Sequence, residues 1–129
     1  MPRIVTVIVA VVLIVHGLIH LMGTAVYARH VQIQGLTYKT TLLNGRWDWG
    51  ETGIRIFGVL WVLPAIGFVA AALAILAGWE WWQPVLVAVT LLSLTLTAVD
   101  WSTAFLGTII DIAILALVPL GPRIAGWFS

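Results

Sequence analysis

The sequence predicts an all-α membrane protein, a bundle of four helices with one polar loop between the first two. Three observations carry this. Of 129 residues, 62% are hydrophobic and only 9% charged, and the mean hydropathy is +1.12, against roughly 25% charged residues in soluble domains. The apolar residues fall in four long runs, each near the ~20 helical residues that cross a ~30 Å hydrocarbon core. Most of the eight tryptophans fall where those runs end.

The first helix is read as Ile4–Tyr27. Arg3 ahead of an apolar stretch resembles a signal peptide, but a signal core is only ~7–15 residues; this run is longer and is expected to be retained. Ala28–Glu51 is the one sizeable polar segment. Val31–Gln34 and Thr37–Leu43 carry β-type residues and Asn44-Gly45 is a strong turn pair, so a short hairpin over the bundle mouth is expected. The second helix is placed at about Gly53–Ala77, ending at Gly78 and the interfacial Trp79–Trp82. The third runs from Trp82 to Asp100, with Pro84 in its first turn, where a missing N–H is harmless. The fourth covers about Thr103–Leu120, stopped by Pro119 and Gly121-Pro122. It is the shortest span.

Trp47, Trp49, Trp79, Trp81, Trp82, Trp101 and Trp127 lie at or beyond helix ends, as expected of an aromatic belt at headgroup level. Only Trp61 sits within a span. No repeat, linker or low-complexity tract divides the chain, which reads as a single domain, 1–129. Four crossings place both termini on one side. Arg3 and Arg123 mark that side; Arg29, Lys39, Arg46 and the border residue Arg55 mark the other. By the excess of basic residues the loop is cytoplasmic and the termini outside, in a multi-pass protein of the inner (plasma) membrane.

The net charge of +1 and the lack of a basic block argue against a nucleic-acid partner. Cysteine is absent, which removes disulfides, thiolate nucleophiles and cysteine-based metal sites. No phosphate loop, no nucleophile with an attendant base and no carboxylate-rich metal set stands out.

What stands out is a set of polar residues inside the spans, where ionisable groups are expensive and functional by default. His16 and His20 share a face of the first helix with Thr24 and Tyr27. Thr90, Ser93, Thr97 and Asp100 form a stripe on the third, and Gly107, Thr108 and Asp111 align on the fourth. Glu51 and Arg55 open the second as an i,i+4 pair, with Arg55 alternatively placed to neutralise Asp100. At ~1.5 Å per residue, His20 and Ser93 each lie ~10 Å inside the loop-side border and Asp111 ~12 Å. Three helices thus bring polar groups to one layer. A water-bridged His20–Asp111 interaction is the expected centre of a pocket comprising His16, His20, Ser93, Thr97 and Asp111, with Arg55 and Asp100 above it.

Each feature has a plainer reading. The histidines can simply hydrogen-bond across helices, and the Ser/Thr stripe can be packing glue. Neutral imidazoles at i,i+4 can share a metal ion, which makes His16 and His20 candidate ligands, but Gly17 replaces the glutamate of a metalloprotease HExxH. No cofactor is specified.

The stretches His16–Gly23 (HGLIHLMG), Gly58–Trp61 (GVLW) and Trp101 with Gly107–Ile109 (GTI) resemble a widespread group of uncharacterised small bacterial four-helix integral membrane proteins. The likeness covers the four spans and not the Ala28–Glu51 loop. It implies the fold and names no activity. Thr103–Leu106 (TAFL) departs from the Asp-Ala-Lys-Phe-like pattern of that group, and Asp111 stands where its members tend to carry asparagine.

Three classes of function remain. The first is a binding or accessory protein, holding a lipid or small apolar ligand, or packing on a larger membrane complex or as a homo-oligomer. The second is a membrane-embedded enzyme using His16, His20 and Asp111 on a lipophilic substrate. The third is a proton or ion pathway along the polar stripe. The first is preferred, because the chain is small, has one short loop and carries a lipid-facing apolar exterior.

Overall fold

The computed structural model describes residues 2–29, 31–33 and 36–127, with side chains through residue 118; Gln34 and the side chains of Arg123 and Trp127, named above, lie outside this set. The chain is mostly helical. Its elements are α1 (Arg3–Arg29), β1 (Thr41–Leu42), β2 (Trp47–Asp48), α2 (Gly50–Leu60), α3 (Val62–Ala77), α4 (Trp82–Val99) and α5 (Trp101–Trp127). Four helical stretches are long and apolar enough to cross a membrane: α1, α2 with α3, α4, and α5 as far as Val118.

The break between α2 and α3 has a local cause. Pro64 has no N–H to return to the Leu60 carbonyl, so the hydrogen-bond ladder loosens there. The chain passes Trp61 through a tighter turn, with Trp61 N–H donating to Gly58 O at 3.3 Å. At the far end Gly78 takes a left-handed conformation (φ 76°), and Trp79 N–H closes the cap on Ala74 O at 2.9 Å. Asp100 alone separates α4 from α5, folding them into a helical hairpin. A kink at Ala104 (φ −117°, ψ 23°) follows directly.

The fourth helix corrects the sequence reading. It does not stop at Pro119 but continues to Trp127. A proline deletes one hydrogen bond and strains one turn; where neighbouring backbone groups have no better partner, the helix carries on.

The loop forms the expected hairpin in shortened form. Thr41 pairs with Asp48 and Leu42 with Trp47, antiparallel, around a turn in which Leu43, Asn44 and Gly45 all have positive φ. Asn and Gly adopt that conformation readily. Leu43 does not, and its N–H is held by Val99 O at 2.9 Å. The hairpin is therefore tied to the end of α4, with Leu42 fully buried beneath it. Upstream, Ile33 and Leu36 make only an isolated bridge.

Helix α1 packs on α2 and α3, α3 on α4, and α4 on α5, while α1 and α5 share the least packing of the neighbours around the ring. Two clusters fill the interior. Ala10, Leu13, Phe68, Ala71, Ala72, Ile75, Leu86 and Val89 form one near the termini. Val26, Tyr27, Leu42, Ile54, Phe57, Trp61 and Leu96 form the other under the loop. The outward faces of α1 and α5 carry exposed Ile, Val and Leu, and Trp47, Trp79, Trp81 and Trp101 are exposed near helix ends.

Glycines set how closely α1 approaches its neighbours. A Cβ on Gly17 would stand 2.9 Å from Phe68 Cβ and 3.1 Å from Ala65 O; one on Gly58 would stand 2.8 Å from both the Ala28 amide nitrogen and Tyr27 Cβ. Backbone cannot yield as a side-chain tip can. Gly58→Ala is therefore expected to force α1 and α2 apart and cost about 1–3 kcal/mol. Denaturant unfolding of the detergent-solubilised protein measures this, and an unchanged midpoint would contradict the close approach.

Candidate functional site

Asp111 is the centre of the polar interior. It is completely buried on α5, and its two oxygens reach two helices. Oδ1 lies 2.8 Å from His16 Nε2 on α1, and Oδ2 lies 2.6 Å from Ser93 Oγ on α4. Ser93 Oγ is also 2.6 Å from His20 Nε2. The other nitrogen of His20, Nδ1, donates to the carbonyl of His16 at 2.8 Å. Thr97 Oγ1 stands 3.5 Å from Asp111 Oδ2, donates to Leu94 O at 3.2 Å and accepts from Thr108 Oγ1 at 2.9 Å. Phe68 of α3 packs against both imidazoles, with ring centroids 4.8 Å from His16 and 5.4 Å from His20.

His20, Ser93 and Asp111 thus share one layer, but the pairing differs from the expectation. His16 is the direct partner of Asp111, and His20 reaches the carboxylate through the Ser93 hydroxyl. One carboxylate with two diverging oxygens spans a full helical turn of α1, so both histidines are served.

A second polar group sits nearer the loop. Tyr27 Oη donates to Asp100 Oδ2 at 2.5 Å. Lys39, from the loop, pairs with Asp100 Oδ1 at 2.6 Å and donates to Thr103 Oγ1 at 2.6 Å and Tyr27 Oη at 3.1 Å. Asp100 is buried and the Lys39 side chain is 24% exposed. Lys39 therefore takes the place expected of Arg55. Arg55 is exposed and makes no ion pair with Glu51 or Asp100 among the described residues; it lines a shallow surface concavity with Arg29, Thr24, Ala28 and Val59. The i,i+4 spacing puts Glu51 and Arg55 on one face, but at the solvated start of α2 little holds two long side chains together.

Between the two polar groups lies a cavity of about 300 Å³. Its walls are mostly apolar. Ile19, Met22, Gly23 and Val26 of α1 face Ala104, Leu106, Gly107 and Ile110 of α5 across it, with Trp61 at the side. His16, His20, Tyr27, Thr97, Asp100 and Thr103 are its polar lining residues, whereas Ser93 and Asp111 are not part of the wall. Ile19, Leu106 and Ile110, which line the cavity, are themselves 52%, 63% and 41% exposed, so it opens sideways along the loosely packed α1–α5 seam. Trp61 is 93% buried by its 7% exposure, and its Nε1–H has no acceptor among the described residues.

A shared metal ion on His16 and His20 does not fit this arrangement. Both nitrogens of His20 and Nε2 of His16 are already engaged by protein groups. Among the described residues no group of three metal-ligating side chains has a geometry that could hold a metal ion.

Lys39, Thr103 and Thr108 were not singled out as site members in the sequence. A charge-balance argument points to Lys39: Asp100 ends a buried stripe and needs a cation, and Lys39 is the only lysine of the chain. Thr108 lies on the stripe that holds Asp111, whereas nothing comparable marks Thr103.

No family model, no curated protein and no solved structure matches the chain, so its chemistry rests on the geometry above.

Removing His16 strands the Asp111 carboxyl oxygen in an apolar interior. His16→Leu is expected to cost about 2–3 kcal/mol, the upper part of the range for a buried acceptor left unsatisfied. His20→Leu leaves Asp111 its direct partner and should cost about 1 kcal/mol. Unfolding midpoints of the two variants in one detergent decide it; equal losses would place the centre of the network elsewhere.

Proposed function

We propose that this chain is an integral membrane protein of the inner membrane, a four-helix bundle that binds a lipophilic molecule in the seam between α1 and α5. The observation that carries this reading is the laterally open cavity. At about 300 Å³ it lies at the lower end of small-molecule sites, which are mostly apolar with a few placed polar groups. That volume suits a lipid tail segment or a small ring-bearing lipophile. The buried Trp61 Nε1–H supplies a donor in search of an acceptor, and an unmatched buried donor is costly, which favours an occupant bearing an ether, ester or carbonyl oxygen.

Binding is preferred over covalent catalysis on a specific ground. Ser93, the one hydroxyl joined to a histidine, is fully buried and absent from the cavity wall. An acyl group in the cavity would not reach it. Exposed apolar faces on α1 and α5 are what a lipid-facing exterior requires, and they leave room for association with a larger complex.

Ala104 and Gly107 line the cavity on its α5 side. Ala104→Phe is expected to fill it, lowering the amount of co-purifying lipophile seen by native mass spectrometry about tenfold, equivalent to ~1.4 kcal/mol. Ile112→Phe, on an exposed face of α5, should leave it unchanged. Equal retention by both variants would reject the seam as the binding site.

The lack of cysteine allows topology to be read from single introduced thiols. In spheroplasts, an impermeant maleimide is expected to label Arg3→Cys and to spare Asn44→Cys, because the loop carries more basic residues than the termini. Labelling of both positions, or of Asn44→Cys alone, would refute this orientation.

A further inference from the structure

We propose that His20, Ser93 and Asp111 form a buried proton-sharing relay, in which one proton belongs jointly to the imidazole of α1 and the carboxyl of α5 and passes between them through the serine hydroxyl. The inference comes from counting hydrogens and does not depend on what the cavity holds. His20 Nδ1 faces a carbonyl oxygen at 2.8 Å. A carbonyl only accepts, so Nδ1 carries a hydrogen. Two further contacts then remain, His20 Nε2 to Ser93 Oγ and Ser93 Oγ to Asp111 Oδ2, both 2.6 Å. Each needs a hydrogen between its heavy atoms, because two lone pairs at that distance repel. Ser93 owns only one.

The second hydrogen has two homes. In one form His20 is an imidazolium, Nε2–H donates to Ser93, and Ser93 donates to the Asp111 carboxylate. In the other, Asp111 is a neutral acid, its Oδ2–H donates to Ser93, and Ser93 donates to the bare Nε2. The forms interconvert without net gain or loss. The Nε2–H bond breaks as an O–H bond forms on Ser93, while the original Ser93 O–H bond breaks as one forms on Asp111. Both forms have zero net charge with His16 neutral and donating Nε2–H to Oδ1. Removing the shared proton would leave a net anion in an apolar interior and one 2.6 Å contact without a hydrogen, a doubly costly state.

No other charged group intrudes on this balance. Among the described residues, the aromatic rings against the two histidines from this side are the uncharged Phe68 of α3 and Trp61 at the α2–α3 junction. Helix α4 adds the neutral Thr97 and α5 the neutral Thr108. The other buried acid, Asp100, is neutralised separately by Lys39 with Tyr27 alongside. The proton therefore belongs to the pair and not to either residue. Since the His16 and His20 rings stand in the cavity wall, the relay sets the charge that faces the seam.

Asparagine at 111 tests this cleanly. Its amide N–H would donate to Ser93 and its carbonyl would accept from His16, which reproduces the neutral-acid form with no proton to move. The measurement is nitrogen-15 NMR of ring-labelled histidine, with carbon-13 labelled aspartate, on the full chain in lipid nanodiscs. In the wild type, the His20 Nε2 resonance is expected between the protonated and bare extremes, moving with temperature in step with the Asp111 carboxyl signal. In Asp111→Asn it should shift fully to the bare extreme and stay there across pH, with His16 Nε2 still protonated. In Ser93→Ala the His20 and Asp111 signals should no longer move together. The relay is overturned if wild-type His20 and Asp111 each sit in one fixed state at every temperature and pH, or if a folded Asp111→Asn leaves the His20 resonance unmoved. Should that variant not fold, loss or persistence of concerted movement in Ser93→Ala decides the matter, and the wild-type spectrum alone suffices to reject it.

Discussion

A carboxyl group with no access to water governs this structure. Asp111 is fully buried, and a lone charge there would cost several kcal/mol even after relaxation. Its neighbours can be read as the answer to that cost. His16 meets one oxygen, Ser93 the other, and His20 reaches it through Ser93. To seat these groups α1 must lie close to α3, which Gly17 permits by letting Phe68 and Ala65 approach. Phe68 then floors both imidazoles. The packing near the centre is thus subordinate to a polar requirement, the reverse of a soluble core in which polar groups are fitted around apolar ones.

Much of this was legible in the sequence. Each of the four span-length helical stretches contains one of the apolar runs, because run length is what a hydrocarbon layer dictates. The polar layer was legible too, since i,i+3 and i,i+4 stripes with a fixed rise give both face and depth. What was not legible is finer than a helical turn. His16 and His20 lie on the same face, and the choice of which touches Asp111 depends on the relative slide of α1 and α5, which no single-helix pattern encodes. Arg55 failed as a partner of Asp100 for a related reason. Helix position implied reach, but a basic residue from a loop of irregular backbone, Lys39, arrived first. The run of α5 through Pro119 shows the limit of breaker residues as stop signals where the helix remains the best home for backbone polar groups.

The small residues divide into two roles. Gly17 and Gly58 let helices touch, and the contacts they permit are tight. Gly23 and Gly107 also admit close neighbours, Trp61 and Thr97, and with Ala104 they line the cavity along the α1–α5 seam. Interiors are normally packed to crystal density with few voids larger than water, so an opening lined by the buried His16, His20, Thr97 and Asp100 is a departure from ordinary packing.

Lys39 has a further bearing on the seam. By touching Tyr27 of α1, Asp100 at the α4–α5 corner and Thr103 of α5 at once, it staples the loop end of the gap shut. On the reading proposed above, an occupant would arrive through the flank of the bundle and not from the loop end. The relevant supply would then be two-dimensional: molecules per lipid, not per litre. Occupancy would follow the mole fraction of the guest in the bilayer and be nearly indifferent to the volume of water around it, so dilution of the membrane with inert lipid, and not dilution of the sample, is what would empty the site.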